Sequence, residues 1–119
     1  MKKVVVFGAG MVAGAHVEYL LDHGFEVTVA SRTLRKAEDL VRGRAHGHAF
    51  AVNSDDEGAM EAIIRQHDLA VSLLPYAYHP MVARLCVRHG VQMVTKAGAF
   101  ADRDILARLL ESPVKEPCA

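Results

Sequence analysis

Residues 4–33 read VVVFGAGMVAGAHVEYLLDHGFEVTVASRT, and no other stretch constrains the fold as strongly. A run of apolar, β-branched residues meets Gly8 and continues as Gly8-Ala9-Gly10-Met11-Val12-Ala13. A short strand of that composition suits a position buried on both faces, as in parallel sheets covered by helices. The six residues after it match the G-x-G-x-x-G/A pattern, and each small residue has a mechanical part. Gly8 lets the chain turn tightly out of the strand. Gly10, lacking a Cβ, lets a pyrophosphate approach the backbone. Ala13 lets the next helix pack closely on the strands. The free N–H groups and positive end of a helix over 11–23 then face the phosphates.

The rest of the chain repeats this alternation. Strands are predicted over 3–7, 25–30, 48–52, 69–74 and 91–95, and helices over 11–23, 33–42, 80–89 and 102–111. A further helix follows Ser54-Asp55-Asp56-Glu57, which reads as a capping box: Ser54 bonds an early helix N–H and Glu57 reaches back. Met60, Ile63 and Ile64 form that helix's buried edge, and Met81, Val82, Leu85 and Cys86 that of the next. Five strands alternating with helices imply an α/β fold with a parallel sheet and right-handed crossovers. The glycine turn favours a doubly wound, Rossmann-like sheet with strand order 3-2-1-4-5 over a flavodoxin-like order. One dinucleotide-binding domain over 1–111 is expected, with a polar tail over 112–119.

The end of the second strand selects among dinucleotides. In an NAD-type site an acid about 20 residues after the glycine turn holds the adenosine ribose. Ser31 stands there, 21 residues after Gly10, followed by Arg32 and Thr33. A carboxylate would repel a 2′-phosphate, whereas the Ser31 and Thr33 hydroxyls can bond it and Arg32 can pair with it. Arg35 and Lys36 oppose the dipole of the helix they start, a cost that an anion removes. The pattern predicts NADP(H) in preference to NAD(H).

Charge and cysteine usage narrow the partners. Lys+Arg and Asp+Glu each total 14, so nothing like a basic nucleic-acid stripe stands out. The apolar run before Gly8 is too short for a membrane span or a signal-peptide core. Two cysteines, Cys86 in an apolar helix and Cys118 near the end, make no disulfide framework or metal pattern, and a reduced cytoplasmic setting is expected. His46 and His48 flank Gly47 and read as a polar loop. Neither a metal cluster nor a catalytic acid–base pair is predicted.

Two stretches are more distinctive than the glycines: "ASRT" at the end of the second strand and "SLLPYAYH" after the fourth. With the residues around them, over roughly 3–95, they resemble the N-terminal domain of the saccharopine dehydrogenase-like family, closest to its glutamate-forming saccharopine reductases and the related domain of a bifunctional lysine-degradation enzyme. The resemblance implies a domain that holds NADP(H) or NAD(H), beside a second domain that holds the amino-acid adduct. It implies oxidoreduction at the C–N bond of a secondary amine made from an amino acid and a keto acid. Carried over by motif, Gly8, Gly10, Met11 and Val12 line the pyrophosphate, and Ser31, Arg32 and Thr33 hold the 2′-phosphate. Leu74, Pro75 and Tyr76 lie along the cofactor, and Asn53 stands where an Asp commonly meets the adenine. After Thr95 the chain departs: Lys96-Ala97-Gly98-Ala99-Phe100 replaces the small polar residues and tyrosine usual there.

The Leu74–His79 loop suits that role independently, because it follows a strand flanking the crevice where the strand order reverses. His79 reads as a residue that starts a helix and bonds backbone. No run of residues remains to wall a substrate against the nicotinamide, so a substrate domain is absent and the isolated chain is expected to be inactive. A partner chain or self-association could complete it, the latter through an apolar patch of Val91, Met93, Leu106 and Leu110. The alternative function is a free-standing dinucleotide-sensing regulatory module, although such modules usually keep the acid that Ser31 replaces.

Overall fold

The computed structural model describes residues 2–10 and 12–95. Five strands form one sheet: β1 (Lys3–Phe7), β2 (Glu26–Ser31), β3 (Gly47–Ala51), β4 (Leu69–Ser72) and β5 (Gln92–Thr95). All neighbours are parallel and the order is β3-β2-β1-β4-β5, as the alternation predicts. Between them lie α1 (Ala13–Asp22), α2 (Leu34–Val41), α3 (Glu57–Ile64) and α4 (His79–His89), the last preceded by a 3-10 turn at Tyr76–Tyr78. The helix expected over 102–111, the apolar residues Leu106 and Leu110, and Cys118 lie outside the described residues.

Alternation along β1 divides the core. Val4 and Val6 face one way and join Val17, Leu20, Ala37 and Val41 beneath α1 and α2. Val5 and Phe7 face the other way and join Met60, Ile64, Val82 and Leu85 beneath α3 and α4. A central strand in a doubly wound sheet buries both faces, and Val4 to Phe7 are all fully buried. Cys86 is buried, the core residue its sequence position predicts.

Three local expectations need correction. The cap of α3 is Asp56, whose carboxylate accepts from the Ala59 N–H at 3.1 Å, so Ser54 is not the capping residue. Glu57 does not reach back; it pairs with Arg84 on α4. A cap two residues nearer the helix leaves room for the Asn53–Asp55 turn described below. β4 ends at Ser72, two residues earlier than predicted, and Leu73-Leu74 leave the sheet toward Pro75. Proline cannot donate to a ladder, and it disfavours the helical region for the residue before it, so the chain runs extended until the 3-10 turn.

At the start of β3, Gly47 lies against the end of α2. A Cβ added there would sit 2.6 Å from Val41 Cβ and 3.0 Å from its Cγ1. The clashing atom is a β-carbon fixed to the helix backbone, so rotamer change gives no relief. Gly47→Ala is expected to destabilise the fold by about 1–3 kcal/mol, the usual cost of overpacking. Chemical denaturation checks this, and an unchanged midpoint would contradict the packing described.

Candidate dinucleotide site

The site lies at the C-terminal edge of the sheet, where β1 and β4 part company in chain order. Gly8 adopts φ +106° and its N–H bonds Ala30 O at 2.9 Å. A Cβ there would lie 3.3 Å from the Leu73 carbonyl oxygen. Gly8 is therefore required twice, for its left-handed backbone and for the close passage of the chain leaving β4. Gly10 differs: a Cβ on it would meet nothing within 4 Å. Its missing side chain serves no packing need of the protein and leaves an open cradle.

The start of α1 completes that cradle. Val12 precedes the helix with no side-chain cap, and the first turn carries no acid, so its leading N–H groups lack a side-chain acceptor. Ala13 is fully buried, which requires a small residue where α1 begins, whereas a Cβ added at Gly14 would make an ordinary contact 3.6 Å from Leu40 Cδ2 on α2. Met11, assigned to the pyrophosphate by the sequence, lies outside the described residues.

Ser31 closes β2, and its hydroxyl oxygen accepts from the Thr33 N–H at 3.2 Å. Thr33 precedes α2 without capping it through its side chain, and the first turn of α2 contains no acid. Arg32, Arg35 and Lys36 are exposed beside this helix start. Cations there oppose the helix dipole, so the place favours an anion.

These elements border a cleft of about 420 Å³ lined by Gly8, Ala30, Ser31, Arg32, Ser54, Leu74, Pro75 and Tyr78. Of the residues expected to bind a cofactor, Gly8, Ser31, Arg32, Leu74 and Pro75 thus share one cavity. Gly10, Val12 and Thr33 stand in the adjoining turns and are not on its wall. Tyr76 is also off the wall: it is 85% exposed, with its ring edge-on to His79 at 5.4 Å. Tyr78, two residues on in the same 3-10 turn, is the tyrosine that lines the cleft. Asn53 faces its own loop, its Oδ1 accepting from the Asp55 N–H at 3.0 Å.

Sequence reasoning missed two interactions at this edge. Ser72, fully buried at the end of β4, is hydrogen-bonded to His79 Nδ1 at 2.9 Å. His79 thus bonds a side chain rather than backbone, and it satisfies the one hydroxyl β4 buries. The Tyr78 hydroxyl donates to Asp55 Oδ1 at 2.8 Å, and this bond to the carboxylate holds the Tyr78 pKa above its ordinary value. Elsewhere, His48 pairs with Glu26 and His67 is buried with Nδ1 donating to Ile63 O, burial pushing its pKa down. No group of three His, Cys, Asp or Glu that could hold a metal occurs among the described residues.

A sequence model of the family described as the saccharopine dehydrogenase NADP binding domain matches residues 4–114. The chain belongs to this family. The match runs beyond Thr95, where the sequence reading had the resemblance stop. Saccharopine dehydrogenase [NADP(+), L-glutamate-forming] of Schizosaccharomyces pombe is 38% identical over 96 residues, which are 80% of this chain and 21% of that protein. The mitochondrial alpha-aminoadipic semialdehyde synthase of Mus musculus is 35% identical over 95 residues, 79% of this chain and 10% of that protein. Among solved structures, apo histidine-tagged saccharopine dehydrogenase (L-Glu forming) from Saccharomyces cerevisiae superposes with a TM-score of 0.74 at 31% identity. It covers 80% of this chain and 21% of its own. The chain therefore spans about a fifth or less of these relatives, and the shared part is their NADP-binding domain. The preference for NADP(H) read from Ser31 and Arg32 agrees with the family's cofactor. Among the described residues no helix is long and apolar enough to cross a membrane.

Proposed function

We propose that residues 1–111 form the cofactor-holding domain of an oxidoreductase acting on the C–N bond of an amino acid–keto acid adduct. The observation that carries the binding reading is the cleft itself: Ser31 and Arg32 form its wall beside an uncapped, acid-free helix start. Gly8, Gly10 and the N–H groups from Val12 onward would receive the pyrophosphate. Ser31, Arg32 and Thr33 would hold the 2′-phosphate, and Leu74 and Pro75 would flank the cofactor as it crosses toward β4. Tyr78 and Ser54 join them on the evidence of the cavity. When bound, the dinucleotide supplies the hydride or accepts it. The chain's residues bind and orient it. The relatives' names support the chemistry, and the stretch each shares with this chain is 21% of the Schizosaccharomyces pombe protein and 10% of the Mus musculus protein. A second domain or a partner chain supplies the substrate site in this proposal, and turnover by the 119-residue chain alone is not expected.

Calorimetric titration of the chain with NADPH and with NADH at one salt concentration tests this. NADPH binding at least about tenfold tighter is the expected result, since charge-assisted bonds to the extra phosphate are worth about 1.5–3 kcal/mol. Preference for NADH would favour a sensing module of another cofactor class. Binding of neither would remove the cofactor role.

A further inference from the structure

A carboxylate from another loop reaches the residue that follows β2. Asp55, in the loop between β3 and α3, places Oδ2 3.9 Å from Arg32 Nη2, while its Oδ1 accepts the Tyr78 hydroxyl at 2.8 Å. Its neighbour Asp56 is committed to capping α3. The Asx turn made by Asn53 holds the Asp55 backbone, and the bond from Tyr78 orients its carboxylate. Arg32 and Tyr78 both line the cleft, and Asp55 ties them together at its rim.

We propose that Asp55 sets how strongly this site reads the 2′-phosphate: strapped by Tyr78, its carboxylate engages Arg32 and has to give way when the phosphate binds. This rests on the cofactor reading above. The Arg32 and Asp55 side chains are 73% and 67% exposed, and 3.9 Å is longer than a direct charge-assisted bond. The contact is therefore exchangeable. A phosphate offers Arg32 more charge and closer geometry than the carboxylate does. Asp55 in turn contributes like-charge repulsion to any dinucleotide carrying the phosphate and none at that position to one without it.

The experiment is calorimetric titration of the wild-type chain, Asp55→Asn and Tyr78→Phe with NADPH and NADH, at low and high salt. Asp55→Asn should tighten NADPH about two- to fivefold, the scale of an exposed ion pair, and leave NADH unchanged. The gain should shrink at high salt. Tyr78→Phe, which releases the carboxylate, should act in the same direction and less strongly. Unchanged NADPH affinity in Asp55→Asn overturns the inference. So does equal weakening of both dinucleotides, which would make Asp55 a direct ligand contact. If the wild-type chain shows no preference for NADPH, the cofactor reading falls and the inference falls with it. A wild-type preference that Asp55→Asn leaves untouched overturns the inference alone.

Discussion

Gly10→Val is expected to leave the protein folded and to abolish binding of NADPH and NADH alike. Gly10 lies outside the left-handed region, unlike Gly8, and a Cβ on it meets nothing within 4 Å. A valine there costs the fold little; substitutions at such surface positions usually change stability by less than about 0.5 kcal/mol. The same isopropyl group would stand between the backbone and the pyrophosphate, whose approach depends on a missing side chain. Calorimetry should show no binding heat with either cofactor at concentrations that saturate the wild type, while the thermal midpoint stays close to the wild-type value. Unimpaired binding would sink the assignment of the turn. Gly8→Ala gives the opposite pattern, because it strains a backbone at φ +106° and crowds Leu73 O at 3.3 Å. It should lower stability by about 1–3 kcal/mol, the cost of a residue held in a disfavoured region.

The two glycines show which parts of the site a sequence carries legibly. The positive φ of Gly8 and the open space at Gly10 were readable because they depend on local features: a strand end, a turn and a helix start within a few residues. The strand order was readable for a related reason. A parallel sheet with a helix in each connection has few topologies open to it, and the glycine turn selects one. Element boundaries were less legible. Ser54, Asp55 and Asp56 are all good caps by composition, and only the path of the chain into α3 makes Asp56 the one that bonds Ala59 N–H. Which tyrosine lines the cleft was likewise not legible, since it is set by the 3-10 turn after Pro75, which puts Tyr78 on the wall and leaves Tyr76 exposed.

What was illegible is long-range. Tyr78 and Asp55 are 23 residues apart, and nothing in either segment announces the other. Both follow parallel strands whose crossover helices, α3 and α4, pack on the same face, so their loops meet at the sheet's C-terminal edge. Ser72 and His79 are only seven residues apart, yet their bond depends on β4 ending at Ser72. The predicted longer strand would have hidden it. Functional contacts at this edge are thus set by loop geometry over a sheet whose order is simple to read.

Arg32→Ala is expected to weaken NADPH binding by about 1.5–3 kcal/mol, roughly 10- to 150-fold, with NADH nearly unaffected. The range is that of hydrogen bonds to a charged group, and the 73% exposure of the Arg32 side chain places the effect toward its lower end. Stability should not change, because the ion pair Arg32 makes with Asp55 is exposed and 3.9 Å long. Arg32→Lys should fall between wild type and Arg32→Ala: it keeps the charge and loses the planar fork that would pair with phosphate. Raising the salt concentration should narrow the gap between the two cofactors in the wild type and leave it nearly flat in Arg32→Ala. Equal loss for NADPH and NADH would mean that Arg32 supports the cleft as a whole, and the 2′-phosphate would then have to be read by Ser31, Thr33 and the cations of α2 without it.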